Sequence, residues 1–438
     1  RTKMASPRLL KEIDALGSFK SAPIPPFGMD RNKSWNQVTY KKMDYDIRSF
    51  FGALDLLGLP VKAQSMSIFL APEAIERFIE WRHRRRGAYT RTLVNLLRSI
   101  ASFLHPQFGF ITQNPNYWQK LIEIRGFVTS DTARLAKQDW GAACDRAYKS
   151  ITGRIKQIEK VAETGRDAFE ALAPVINDHE PFPLFSYLKI ADEIRVRMPG
   201  PEYDVRVAEA QRALMILMIG LTTGLRSKNL RELLVCLPGE KRRGEKELRR
   251  LQRGEMFLHN GGWWIGIPRE AFKNGGTRTQ PGSSAIEDWN EFPIEDVDGR
   301  LYSEISTYLE ARQTLLDGNA DPSTFFVKTM ASRAKTPEFS SQGFYNAFRA
   351  MITTYGIYNP YMGRGAIEGL KPHGPHSMRH VIATHFVKNG SIDDAAAALF
   401  DSPITIVAHY GRYSPGARHR DAMRRVWAGW HHFQGGKA

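Results

Sequence analysis

Between Val38 and Gly58 the apolar residues Met43, Ile47, Phe50, Phe51 and Leu54 recur at three- and four-residue spacing, which predicts a helix that Gly58 can end. A second helix is expected in APEAIERFIEWRHRRR, with Pro72 at its first position and Ile75, Phe78 and Ile79 on one face. YTRTLVNLLRSIASFL follows as a third, and two more helical stretches cover roughly 132–176. Further on, AQRALMILMIGLTTGLRSKNLRELL is apolar on every side and reads as a buried helix ending near Gly220–Gly224, then a short polar one. GGWWIGIP and FKNGGTRT have strand composition around turn glycines, so a small hairpin or sheet is expected near 256–280. The remainder reads as mostly helical, apart from the Gly- and Pro-rich stretch 355–375.

These elements give a mainly α fold with a small β-sheet. SAPIPPFGMD (21–30), with three prolines and a glycine, marks residues 1–33 as an extended arm. RVRMPGPEYD (195–204) reads as a linker. The expected division is therefore an arm over 1–33, an all-α domain over 34–192, and an α+β domain over 193–438. A chain of 438 residues is too long for one ordinary core, which fits.

Composition narrows the function. With 42% apolar and 25% charged residues the chain is globular rather than disordered, and no apolar run approaches the roughly eighteen residues that span a bilayer. No signal peptide is recognisable, and the sequence opens on Arg1, so preceding residues are an expectation. Two cysteines, Cys144 and Cys236, have no paired spacing, which argues against a disulfide framework or zinc-thiolate site and for a reducing cytoplasm. Charge points further. Sixty-two Lys and Arg against 46 Asp and Glu leave +16, a field that attracts polyanions, nucleic acid before membrane surfaces. RHRRRGAYTR (82–91) supplies Arg82, Arg84, Arg85, Arg86 and Arg91 as candidate phosphate contacts. The mixed-sign run 238–255 reads instead as a solvated excursion.

Singly, Arg226 in TTGLRSKNL, Lys273 in FKNGG, His376 and Arg379 in HSMRHVIATHFVKNG, and Tyr410 in ALFDSPITIVAHY each have ordinary structural explanations. Their order is more specific. TTGLRSKNL resembles the first arginine box of the tyrosine recombinases (the phage integrase family), ATGLRxxEL. HSMRHVIATHFVKNG is similar to that family's HxLRHxxATHLxxxG at nearly every diagnostic letter, and ALFDSPITIVAHY fits its LLGHxxxxxTxxY. Tyr410 lies thirty-one residues after Arg379, also in keeping with the family. The resemblance covers about 195–438, and the helical N-terminal half is similar to the family's core-binding domain in pattern only.

The resemblance implies a clamp of two domains on duplex DNA, a dimer on each site and a tetramer in the synapse. It also implies strand cleavage through a 3′-phosphotyrosyl intermediate in a site-specific recombinase or integrase of a bacterial or phage mobile element. Arg226 and Arg379 would hold the phosphate, because planar guanidinium forks match its oxygens and stay charged. Tyr410 would attack, Lys273 would protonate the leaving 5′-oxygen, and His376 would assist with the tyrosine proton or hydrogen-bond the phosphate. Since the intermediate conserves the bond energy, neither ATP nor a metal is expected. His376 and His380 share a helix face, but no HExxH pattern, cysteine or carboxylate cluster accompanies them, so His380 and His385 read as packing residues. A helix over 421–433, DAMRRVWAGWHHF, would cover its own core or dock on a neighbouring protomer.

The chain departs from the family pattern. Asp401 stands where the family has His or Trp, and Asn229 where the arginine box has Glu. Asp401 either points away and acts on Ser402–Pro403 at the start of the next helix, or has its role covered by His409, or marks a weakened site. The first is the preferred reading. Tyr413, one turn past Tyr410, is the alternative nucleophile. A telomere resolvase, a type IB topoisomerase-like enzyme and a catalytically weakened DNA-binding factor remain alternative functions on the same scaffold.

Overall fold

The structure is a computed structural model that describes residues 5–32, 34–163, 169–177, 179–202, 204–273, 286–330, 336–409 and 423. It is mainly helical with one small four-stranded mixed sheet. The chain divides into two compact units, Arg1–Arg166 and Asp167–Ala438.

In the first unit helices Gln37–Leu56, Pro72–Arg86, Arg91–Phe103, Ser130–Gln138 and Trp140–Val161 surround a cluster of phenylalanines. Phe50 is at its centre, with ring centroids 4.8 Å from Phe78 and 5.1 Å from Phe69. Most of these helices start on a side-chain cap: Asn36, Thr90, Thr129 and Asp139 each accept a backbone N–H of the first turn. The segment read as an arm is different. Pro7–Ser21 is a helix, capped by Ser6, that buries Leu9, Ile13, Leu16 and Phe19 in the same core. The buried Glu12 on this helix accepts from Ser65 Oγ (3.0 Å), the Met66 backbone N–H (2.6 Å) and Lys120 Nζ (3.0 Å). Between Ser21 and Gln37 the described residues lie in no helix or strand.

The run 82–91 ends helix Pro72–Arg86, and Gly87 terminates it at φ 75°. Arg84, Arg85, Arg86 and Arg91 are exposed. Arg84 pairs with Glu80 (3.1 Å), Arg91 with Glu159 (3.3 Å), and Arg85 lies 5.3 Å over the Trp81 ring. Burial, then Arg86 and Arg85, lower the pKa of Arg82, so like charges are crowded at this helix end.

The second unit is built around helix Asp204–Thr223, whose run Leu214–Leu221 is buried and packs against helix Leu301–Leu316. The sheet runs β1 (Leu234–Val235), β2 (Glu255–His259), β3 (Gly262–Pro268) and β4 (Trp289–Pro293) in spatial order. β1 and β2 are parallel and the other pairs antiparallel. Asn260 (φ 49°) and Gly261 (φ 78°) make the two-residue turn joining β2 to β3, a geometry that suits an Asn-Gly pair.

Two sequence expectations change here. Helix Pro183–Val196 buries Tyr187, Ile190, Ala191 and Ile194 in the second unit's core, so 167–192 belongs with that unit and the division falls at 166/167. The stretch 195–204 consequently lies within the unit, where Arg195 holds Glu304 at 2.7 and 3.1 Å. Nor is 238–255 merely solvated. Its helix Glu245–Leu251 buries Leu248, Arg243 pairs with the fully buried Glu255 carboxylate (2.7 Å), and Arg242 stacks 3.5 Å over Phe257.

Candidate active site

Arg226, Lys273 and the pair His376 and Arg379 come from three separated parts of the second unit. Helix Asp204–Thr223 stops at Gly224 (φ 62°), and Arg226 occupies the N-cap position of helix Ser227–Glu232. His376 is the N-cap residue of helix Ser377–Asn389, and Arg379 projects from its first turn. Asp401 lies between helices Ile392–Ala398 and Pro403–His409.

The two arginines meet at one carboxylate oxygen. Asp401 Oδ2 accepts from Arg226 Nη2 at 2.7 Å and from Arg379 Nη2 at 2.8 Å. Arg379 Nη1 donates to the Gly224 carbonyl, tying the second helix box to the end of the first. Arg379 and Asp401 are buried, whereas the Arg226 side chain keeps 15% of its surface open. The preferred reading of Asp401 is thereby corrected: its carboxylate points inward and bridges the two arginines. Ser402 caps the following helix by itself, accepting from the Thr405 N–H (3.2 Å) with Pro403 as first helical residue. His409 is exposed at the end of that helix.

His376 opens to solvent beside a cleft lined by Lys228, Arg231 and Tyr345. Its pKa is pushed down to about 4, by desolvation first and then by Arg379, Arg226 and Lys273, with Asp401 opposing. The imidazole is therefore neutral at pH 7, with one nitrogen donating and one accepting. Lys273 is exposed, two residues beyond the turn Arg269–Ala271. That turn is fixed from two sides. Asn229 Nδ2 donates to the Ala271 carbonyl at 3.0 Å, and Phe272 lies 5.1 Å from the Phe400 ring, which also packs 5.3 Å from Phe292. Phe400 adopts φ 49°, a costly left-handed backbone for an aromatic residue, held immediately before Asp401.

His380 and His385 pack as rings. His380 is edge-on to Phe169 (4.8 Å) and His376 (5.1 Å), and His385 rests against Phe185 (5.2 Å). Among the described residues no group of three or more His, Cys, Asp or Glu side chains is placed to hold a metal ion. Likewise, no described helix is long and apolar enough to cross a membrane. Tyr410, Tyr413 and the 421–433 stretch except Met423 lie outside the described residues.

Sequence reasoning missed Gly224, Phe272 and Phe400 as supports of the site and noted Asn229 only as a departure from the arginine box. The TTGLR box carried a signal for Gly224, since a glycine ending a helix marks a backbone position that other residues resist. The contacts of Asn229, Phe272 and Phe400 span long sequence separations and left no local trace.

A pH prediction follows from the neighbouring His373, which is buried at 6% exposure. The Lys371 carbonyl can only accept, so His373 Nδ1 (2.7 Å) carries the proton and Nε2 accepts from Tyr187 Oη (2.7 Å). Burial lowers its pKa from 6.5 to about 4. Below pH 6.5 the unfolded chain takes up a proton that the folded one refuses, so this contribution is complete above pH 6.5 and lost as pH falls toward 4. Between pH 7 and pH 5 the loss amounts to about 2 kcal/mol. Urea unfolding of wild type and His373→Gln at both pH values should show a pH-dependent loss smaller by that amount in the variant. Equal losses would remove His373 as its origin.

Against models of known protein families the chain matches none, and no curated protein matches it.

Proposed function

We propose that this protein is a tyrosine-recombinase-type DNA strand transferase acting through a covalent 3′-phosphotyrosyl intermediate. One observation carries the reading. Arg226, His376 and Arg379 converge within one unit, and Lys273 is close enough for its charge to lower the His376 pKa. Convergence of three cations and an imidazole from three sequence segments is what a phosphodiester transition state asks of a site, since its non-bridging oxygens carry the growing charge.

In this reading the Tyr410 hydroxyl oxygen attacks phosphorus while the bond to the 5′-oxygen breaks. Arg226 and Arg379 stabilise the pentacoordinate phosphorane, and Lys273 gives its proton to the leaving 5′-oxygen. Neutral His376 accepts the tyrosine proton or hydrogen-bonds the phosphate. Attack by the 5′-hydroxyl of another strand reverses these steps and rejoins the DNA. The two units would enclose duplex DNA, with Arg82, Arg84, Arg85, Arg86 and Arg91 on backbone phosphates, and protomers would pair on a site and form tetramers at synapsis.

A second reading has a specific observation in its favour. Asp401 already neutralises part of the arginine pair, which suits a DNA-binding factor with a weakened site. One experiment separates the two. A duplex with a cognate site, nicked so that the 5′-hydroxyl fragment escapes, is incubated in EDTA with wild type or Tyr410→Phe and run on a denaturing gel. The expected result is a protein–DNA adduct from wild type only. An adduct from Tyr410→Phe would transfer the nucleophile to Tyr413. No adduct from wild type, with binding intact, would favour the binding factor.

A further inference from the structure

We infer that Asp401 is a positioning residue that works from behind the phosphate site. Its carboxylate fixes the two guanidiniums in one geometry, ready for the transition state, and offsets part of their charge, which loosens the grip on the resting phosphate. The inference rests on the functional reading above and deepens it, because nothing in the family pattern gives an aspartate at this position such a role.

Accessibility locates the carboxylate. Its side chain has 0% exposure, against 15% for Arg226, while His376 and Lys273 open to solvent. An incoming phosphate therefore meets Arg226, His376 and Lys273 first, while Asp401 and Arg379 lie deeper, their side chains 0% and 2% exposed. The backbone holds it there. The Asp401 N–H donates to the Ala396 carbonyl at 3.0 Å, and the Phe400 ring before it is wedged against Phe272 and Phe292. A carboxylate anchored in this way is poorly suited to swing out as a displaceable plug. It is well suited to fixing Arg226 Nη2 and Arg379 Nη2 on a common oxygen, which keeps two mutually repelling cations in one geometry before DNA arrives.

Charge supplies the second half of the argument. Two guanidiniums alone would bind a ground-state phosphate diester strongly, and binding that is equal in ground and transition states does not raise the rate. A buried negative charge beside them weakens attraction for the singly charged diester. The same charge opposes the more negative phosphorane as well, so the gain in rate comes from the fixed geometry of the two forks, which need no reorganisation as charge develops on the phosphoryl oxygens.

The experiment uses Asp401→Asn, which keeps size and hydrogen-bond acceptance but removes the charge, and Asp401→Ser as a second variant in case the first folds poorly. Two quantities are measured for the full chain: affinity for inorganic phosphate by titration calorimetry, and the maximal single-turnover rate of adduct formation at saturating nicked duplex. The expected result is phosphate affinity raised threefold or more together with a maximal rate lowered tenfold or more. A merely structural role would lower both together. A variant that reacts as fast as wild type or faster overturns the inference and makes Asp401 a brake, and unchanged or weakened phosphate affinity overturns it equally. Should wild type form no adduct, the functional reading fails, and the phosphate titration, which needs no DNA site, decides the charge role of Asp401 by itself.

Discussion

Arg379→Leu is expected to lower the unfolding free energy by about 3 kcal/mol and to reduce adduct formation by at least about a thousandfold. The stability loss arises because the Arg379 fork is built into the protein. Nη2 holds the buried Asp401 carboxylate and Nη1 the Gly224 carbonyl, and leucine leaves both acceptors short of a donor. Removing one partner of a buried ion pair costs about 3–5 kcal/mol, and the lower end applies because Arg226 stays on Asp401. Urea unfolding measures the first effect and the nicked-duplex assay the second. The double variant Arg379→Leu/Asp401→Leu makes the comparison sharper. It removes the stranded carboxylate, and Arg226, with 15% of its side chain exposed, can turn to water. The double variant should therefore regain stability but not activity. If Arg379→Leu unfolds like wild type, the bridge has no part in holding the site together.

Much of this arrangement was legible from the sequence where information is local. The helices over 37–56, 72–86 and 91–103 announce themselves by period, and the hairpin β2–β3 turns at a glycine of the GGWWIGIP stretch. The pair of boxes around Arg226 and His376 was visible as order and spacing. What could not be read is which way a short polar side chain turns. Asp401 and Arg226 are 175 positions apart, so their contact depends on how helix Ser377–Asn389 packs beneath Gly224. The missed first helix is a different kind of failure. Leu9, Ile13, Leu16 and Phe19 follow helical spacing, and the prolines after Ser21 drew attention away from it. At 183–196 the pattern was right and the allegiance wrong, because an amphipathic stripe says that a helix is buried without saying against which core.

Three backbone features converge on Asp401: the left-handed Gly224, the left-handed Phe400 and the fixed turn before Lys273. Local strain of this kind persists only where the surroundings hold it, and sites of chemistry are where it concentrates. Phe400 links two of the three, since its ring meets Phe272 beside Lys273 while its backbone leads into the carboxylate. The arginine bridge and the lysine turn are thus joined through packing as well as charge.

Gly224→Ala tests that linkage most directly and should be strongly damaging for a single added methyl group. At φ 62° an alanine costs about 1 kcal/mol or more from backbone conformation alone. Its Cβ would also stand 2.1 Å from the Ala398 carbonyl oxygen and 3.2 Å from Leu399 Cδ2. A backbone carbonyl cannot yield as a flexible side chain does, so the segment Ala398–Asp401 must shift, and with it the oxygen that both arginines share. The total should reach about 4 kcal/mol, in the range that marks a specific structural conflict. Where the protein remains folded, a displacement of about 1 Å at the arginines should lower adduct formation about a hundredfold. Gly318→Ala is the control. Gly318 has φ 72°, but its added Cβ meets nothing within 4 Å, so it should lose only about 1 kcal/mol and keep full activity. Equal behaviour of the two variants in unfolding and in the nicked-duplex assay would mean that the Ala398–Asp401 segment yields freely, and the bridge at Asp401 could then not be a preorganised one.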